Sequence, residues 1–426
     1  MPPSVEQTEQ LVVSVLVQLA VIILCARVAG AAAAAVRQPR AVGEIIAGLL
    51  LGPSFFGTLF PELSATLFAE ETGQSILILS QVGLTLLMFQ IGADFEFGHL
   101  GDPRNRRAVF LVSMTSIAAP LAAGYVLGRI TAPLLAPGID PAAYSYFLAV
   151  ALAITAVPIL GRILREYRLT SDRIGVIAIS AAAINDVVGW VLLAAIAALA
   201  SSALTPAATA FQIGGIGLLV AALWFAGAPF VDWLLRRFSI ESGGVSGPLM
   251  AIVLAMIFLT GVATEALGIF TIFGGFLVGL LFHRHTAFVA AWRNQVGQFT
   301  LVFFLPIFFT YTGLRTNVLG LDGAEEWFWC ATILAAASLS KFAPVFAAAR
   351  IAGLSAVDST IIGALMNTRA LMELIVLNIG LSLGVIPQDV FTMLVIMAIG
   401  TTLMTGPLLQ WLLPKAGHSA SRDIES

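Results

Sequence analysis

Read along its length, the chain is a series of apolar stretches separated by short polar connections. Thirteen stretches are predicted as helices, at about residues 9–30, 41–59, 74–92, 107–129, 144–163, 174–201, 210–235, 247–264, 266–282, 296–314, 327–349, 357–380 and 389–413. A helix needs roughly 20 mostly apolar residues to cross the hydrocarbon core of a bilayer, and these stretches match that length. The pattern therefore predicts an all-α integral membrane protein of about 13 transmembrane helices.

Composition agrees with this reading. Hydrophobic residues make up 59% of the 426-residue chain and charged residues 11%, against roughly 25% charged in ordinary soluble domains. The chain reads as one transmembrane domain over residues 1–426, with 414–426 a short tail and no C-terminal regulatory domain. A formal charge of −3 says little until the charges are placed. Of the 21 Lys and Arg, 17 fall on the side that holds loops 31–40, 93–106, 164–173, 236–246, 283–295 and 350–356 and the tail, flanking helix ends included. The other side has Arg129 and Arg315 only. Short loops rich in Lys and Arg stay cytoplasmic, so the N-terminus is expected outside and the C-terminus inside, in the cell membrane. Residues 1–10 carry Glu6 and Glu9 and no basic residue, unlike a cleavable signal peptide.

Five charges remain well inside the predicted spans: Glu44, Asp186, Lys341, Arg369 and Glu373. Asp186 follows Asn185 at the middle of an almost wholly apolar run. An aspartate at that depth costs roughly 2.5–3.5 kcal/mol on insertion scales unless an ion, a proton or a counter-charge offsets it. Asp186 can hold a proton or a hard monovalent cation, and Asn185 offers a neutral carbonyl ligand and an amide donor. The plainer alternative is a carboxylic acid kept neutral by hydrogen bonds between helices. Arg369 and Glu373, four residues apart, share a helix face and read as a structural clamp more readily than as the ion's seat. Lys341 either neutralises Asp186 when no cation is bound or pairs elsewhere. Glu44 is explained by interfacial pairing with Arg37 and Arg40. His99, His283, His285 and His418 read as solvated loop residues, and Cys25 and Cys330 as packed or lipid-facing thiols. The GFLVG motif at 275–279 suggests close packing. No Gly-rich phosphate loop, metal-ligand spacing or nucleophile triad appears, so neither a cofactor nor an enzyme is expected.

Segments 107–201 and 327–413 share a three-helix layout. Seven helices separate corresponding members, so the two triplets are expected upside down relative to each other, as in secondary transporters. Each middle segment is interrupted. In AITAVPILGRI, Pro158 lacks a donor and crowds the carbonyl of Ile154, freeing backbone around Thr155. In GALMNTRALMELIVLNIG, Asn367, Thr368 and Arg369 sit mid-span. Such breaks persist in lipid only when buried against protein or a wet cavity, and two of them would turn helix ends and loose carbonyls toward one point.

The motifs QPRAVGEIIAGLLLGPS (38–54), GLTLLMFQIGADFE (83–96), ITAVPILGRILRE (154–166), AINDVVGW (183–190), YTGLRTN (311–317) and GALMNTRALMELIVLNIG (363–380) together make the chain similar to the monovalent cation:proton antiporter-2 family. That family includes bacterial sodium/proton antiporters, Kef-type systems and plant cation/proton exchangers, and the resemblance covers nearly the whole chain. It implies an inverted-repeat antiporter fold with two crossing broken helices, and a homodimer in which a dimerisation panel holds a core bundle that slides like an elevator. It implies that Asp186 binds the transported cation and the proton, with Asn185 beside it and Thr155 at the crossing. Lys341 falls where many members carry a lysine near the site, and Arg369 and Glu373 fall in the second broken-helix motif.

Asn185 departs from electrogenic relatives, which have two adjacent aspartates there. The expected activity is therefore secondary antiport of Na⁺ or K⁺ against H⁺ at a single midplane carboxylate, with a one-for-one electroneutral cycle. A Kef-like K⁺ efflux antiporter or channel is the alternative, as is an organic-anion symporter of the same fold. The expected partners are the transported ions, the lipid bilayer and a second copy of the chain; nucleic acid is not among them.

Overall fold

The computed structural model describes residues 5–36, 38–94, 103–155, 157–169, 172–200, 206–238, 244–268, 270–369 and 371–417. Helices dominate, and no extended strand occurs among the described residues. In chain order they are α1 (Val5–Ala35), α2 (Arg40–Leu51), α3 (Phe56–Leu59), α4 (Pro61–Leu67), α5 (Glu70–Ala93), α6 (Pro103–Leu135), α7 (Pro141–Ala153), α8 (Val157–Glu166), α9 (Arg173–Ala200) and α10 (Pro206–Ala222). They continue as α11 (Ala228–Arg237), α12 (Gly247–Ala266), α13 (Thr271–Phe282), α14 (Thr286–Trp292), α15 (Leu305–Leu314), α16 (Ala324–Ile351), α17 (Ala356–Met366), α18 (Leu371–Ser382) and α19 (Gln388–Leu412). Among the described residues, 11 helical stretches are long and apolar enough to cross a membrane, and α7 and α13 are shorter apolar helices.

The expected helix at 266–282 starts later than hydropathy suggests. Gly268, at φ +74°, ends α12 in the left-handed conformation that glycine adopts without steric cost. The 12 residues of α13 then span only about 18 Å at 1.5 Å per residue, short of the roughly 30 Å hydrocarbon core. A second difference lies at 283–295, expected as a loop, where helix instead begins at Thr286 and runs through π-helical turns at Arg293–Gly297 and Thr300–Phe304 into α15. Two of its polar residues are satisfied in place. Arg293 pairs with Asp94 at 2.5 Å, and Gln295 Oε1 accepts the Val245 amide at 2.8 Å.

The described residues form two compact units. One draws on Met1–Arg27, Ala47–Glu96 and Ser201–Leu314, the other on Val28–Ile46, Phe97–Ala200 and Arg315–Ser426. In the first, α5 and α13 meet backbone to backbone. A Cβ on Gly279 would lie 2.2 Å from Phe89 O, and one on Gly275 would lie 2.3 Å from Thr85 O. Without hydrophobic gain between helices in lipid, such close approach of small residues is a main source of association, which accounts for the GFLVG motif. Phe89, Phe282, Phe288 and Trp292 fill the adjoining core with edge-on and tilted contacts.

In the second unit, α6 is followed by the broken pair α7 and α8 and then by α9, while α16 is followed by the broken pair α17 and α18 and then by α19. Both leading half-helices open on a side-chain cap. Asp140 accepts the amides of Ala142 and Ala143, and Ser355 Oγ accepts that of Asp358. These caps satisfy donors that a helix start otherwise leaves orphaned. Long outer helices thus frame both interruptions.

The glycine contact predicts opposite outcomes for one substitution at two sites. Gly279→Ala should lower the thermal midpoint of the purified chain, since overpacking costs about 1–3 kcal/mol. Gly73→Ala, where an added Cβ meets nothing within 4 Å, should leave it unchanged or raise it, as helix propensity favours Ala by about 1 kcal/mol. Equal effects at both positions would refute the close α5–α13 contact.

Candidate ion site at two broken helices

α7 stops at Ala153, and Ile154 turns extended at φ −67° and ψ 144°. A helix that ends inside protein leaves its last carbonyls without intrahelical donors. Ile154 N–H serves Val150 O at 3.3 Å, and two buried cations serve the next four. Arg369 donates from Nη1 to Ala151 O at 2.9 Å and from Nη2 to Leu152 O at 2.5 Å. Lys341 Nζ donates to Ala153 O at 2.6 Å and to Ile154 O at 2.8 Å. Both side chains are fully buried. They stand at the negative end of the α7 dipole, where positive charge is stabilised.

α8 begins at Val157, so Pro158 lies in its opening turn, not in the middle of a kinked helix. A missing N–H there removes no helical bond. Asp186, midway along α9, is 2% exposed. Neither of its carboxylate oxygens has a hydrogen-bond partner among the described residues. The Val157 amide, at the positive end of α8, faces it outside hydrogen-bonding geometry, and the Lys341 ammonium acts on it electrostatically. Beside it, Asn185 Nδ2 donates to Thr155 Oγ1 at 3.1 Å and to Ser116 Oγ at 2.9 Å. Thr155 Oγ1 in turn donates to Met366 O at 3.4 Å, which ties the first break to the end of α17.

The second break leans on α19. Thr402 Oγ1 lies 3.3 Å from Arg369 N and 2.8 Å from Arg369 O, and Thr368 and Thr405 hydroxyls meet at 3.2 Å. Asn367 Oδ1 is buried and has no partner among the described residues. Glu373, in the first turn of α18, takes Arg369 Nη1 on Oε2 at 3.3 Å and leaves Oε1 unpartnered among the described residues. Each half-helix that starts in the interior therefore has an acid near its N-terminus, and α7 ends on two cations.

Every predicted site residue lies in this second unit, and most are brought together. Asn185, Thr155, Asn367, Thr368, Arg369 and Glu373 line the two breaks, with Asp186 against the first. Lys341 makes its hydrogen bonds to backbone carbonyls, one of the two roles left open for it. The Arg369–Glu373 pair exists, but the guanidinium also holds Ala151, Leu152 and, at 3.3 Å, Ala337 O. Glu44 is buried in α2, four residues after Arg40; Arg37 lies outside the described residues, as do His99 and His418. Sequence reasoning missed Ser116, Thr402 and Thr405, whose only signal was a hydroxyl on a predicted membrane helix.

Long apolar helices that bury a carboxylate, a lysine and an arginine around two interruptions define a polytopic membrane protein with a charged cluster in its interior. The profile of the family described as "Sodium/hydrogen exchanger, transmembrane" matches residues 20–415, and the chain belongs to that family. It is 34% identical over 412 residues to the Na(+)/H(+) antiporter NhaS4 of Synechocystis sp., covering 95% of this chain and 98% of that one. It is 32% identical over 395 residues to cation/H(+) antiporter 18 of Arabidopsis thaliana, of which it spans 48% of the length. The solved structure of the sodium proton antiporter MjNhaP1 from Methanocaldococcus jannaschii superimposes with a TM-score of 0.66 at 14% identity, over 93% of this chain and 96% of that one. The fold is thus the antiporter fold.

The capping arrangement orders two substitutions by cost. Arg369→Met removes the donor to three carbonyls and strands the buried Glu373, a loss of about 3–5 kcal/mol for a broken buried pair. Lys341→Met strands the carbonyls of Ala153 and Ile154 at about 1–3 kcal/mol each. Both should lower the thermal midpoint, and adding Glu373→Gln to Arg369→Met should recover part of the loss. An unchanged midpoint in Arg369→Met would show that the guanidinium is not the cap.

Proposed function

We propose that the protein is a secondary antiporter that exchanges a monovalent cation, Na⁺ or K⁺, for H⁺ at Asp186. The observation that carries this is a buried carboxylate whose two oxygens have no hydrogen-bond partner among the described residues. A group in that state needs a proton or a cation to offset its desolvation. Protonation and cation binding use the same oxygens, so each excludes the other, and exclusion at one site couples the two fluxes. The names of the relatives, NhaS4 and cation/H(+) antiporter 18, point the same way.

Lys341 is held by two carbonyls and Asn185 has no titratable group, which supports one carboxylate trading one proton for one cation. The cycle is then electroneutral. Asn185 and Thr155 hold the two breaks in register beside Asp186. Alternating access comes from movement of the bundle that carries the breaks, with 107–201 and 327–413 as inverted repeats. The N-terminus is outside, the C-terminus is cytoplasmic, and the chain works as a homodimer in the cell membrane.

Asp186→Asn should fold with an unchanged or higher thermal midpoint and abolish cation-driven dequenching of a pH dye in everted vesicles. Full retained dequenching would remove Asp186 from the mechanism. In proteoliposomes of the unmodified chain, an imposed membrane potential should leave the exchange rate unchanged. A rate that follows the potential would overturn the one-for-one cycle.

A further inference from the structure

A second polar feature lies in the other unit. A recess of about 340 Å³ is lined by Asp232, Leu235 and Arg236 of α11, by Arg284 and His285 of the α13–α14 connection, and by the first residues of α14. Its volume falls in the range of small-ligand sites. Charge is unbalanced within it. His285 Nε2 sits 3.0 Å from Asp232 Oδ1, so this histidine is not simply a solvated loop residue, and the single lining carboxylate is already engaged. Arg236 and Arg284 have no ion pair or hydrogen bond among the described residues. Two guanidiniums that line one recess, neither paired to an acid among the described residues, form the kind of donor set that recognises a phosphate through paired N–H bonds.

The surroundings select the source of that phosphate. Gly214–Arg237 is the least enclosed of the candidate membrane spans among the described residues. Its outer surface exposes Trp224, Phe225, Phe230 and Trp233. Phe230 and Trp233 stack at 5.7 Å and 26°, and Arg236 follows Trp233 by three residues on the same helix face. Aromatic rings next to arginines at the end of an exposed apolar helix mark headgroup depth. A basic recess at that level faces lipid phosphates.

We propose that this recess binds a phosphate-bearing anion and that its source is the headgroup of an anionic phospholipid, with Arg236 and Arg284 as the phosphate ligands. Asp232 opposes the anion and weakens the site. The readout below needs no transport, so its failure would leave the antiport reading untouched.

The test follows the thermal midpoint of the full chain in detergent during titration with dioctanoyl phosphatidylglycerol, dioctanoyl phosphatidylcholine or inorganic phosphate. A ligand that binds only the folded state raises the midpoint with concentration. Phosphatidylglycerol should do so saturably, and the other two should not at equal concentration. Arg236→Gln with Arg284→Gln should raise the half-saturating concentration about tenfold or more, as expected from losing charge-assisted hydrogen bonds. Asp232→Asn should lower it. If inorganic phosphate reproduces the shift, the lipid source is overturned. If phosphatidylcholine matches phosphatidylglycerol, or the double variant keeps the unmodified half-saturation, the site is overturned. Should the double variant fail to fold, Asp232→Asn decides alone, and an unchanged or raised half-saturation refutes the proposal.

Discussion

α7 ends inside the protein with four carbonyls pointing away from its own backbone, and the arrangement of the site depends on how those carbonyls are met. In lipid an orphan carbonyl costs several kcal/mol. Water cannot be the general answer at a buried helix end, so cations supply the donors: Arg369 for Ala151 and Leu152, Lys341 for Ala153 and Ile154. The two charges that look anomalous in membrane segments thus stabilise a backbone interruption. They also complement the negative end of a helix dipole, which no neutral donor would do as well.

The interruption in turn creates the electrostatics at Asp186. Because α7 stops, α8 must start afresh, and its opening amides give that helix a positive end toward the carboxylate. Asn185, Ser116 and Thr155 then fix the neighbouring positions by hydrogen bonds among themselves and to Met366 O. Asp186 is left with oxygens that no described residue claims. The hydroxyl and amide groups of the first break named here are all hydrogen-bonded, and the proposed exchange therefore falls to this carboxylate.

Much of this was legible in the chain itself. Asp186 and Asn185 stood out because an acid and an amide in an apolar run have few other reasons to be there. Pro158 and the Asn367–Thr368–Arg369 triplet marked both breaks, and the proline lies in the first turn of the helix that follows the first one. The partner of Lys341 was not legible, since backbone carbonyls leave no mark on residue identity. Ser116, Thr402 and Thr405 were missed because hydroxyl residues are ordinary in membrane helices, where they can bond their own preceding turn. The polar run at Arg293–Gln295 was read as a loop, but Asp94 and the Val245 amide satisfy it on a helix. A sequence shows polarity, not the distant group that answers it.

The central claim is that one carboxylate holds either a proton or a cation. Equilibrium binding of Na⁺ or K⁺ to the purified chain in weakly buffered detergent, with proton release recorded in the same titration, tests it most directly. Cation binding to a protonated acid must expel its proton, so the account predicts about one proton released per cation bound. Binding without proton release, or release of two protons per cation, would contradict it.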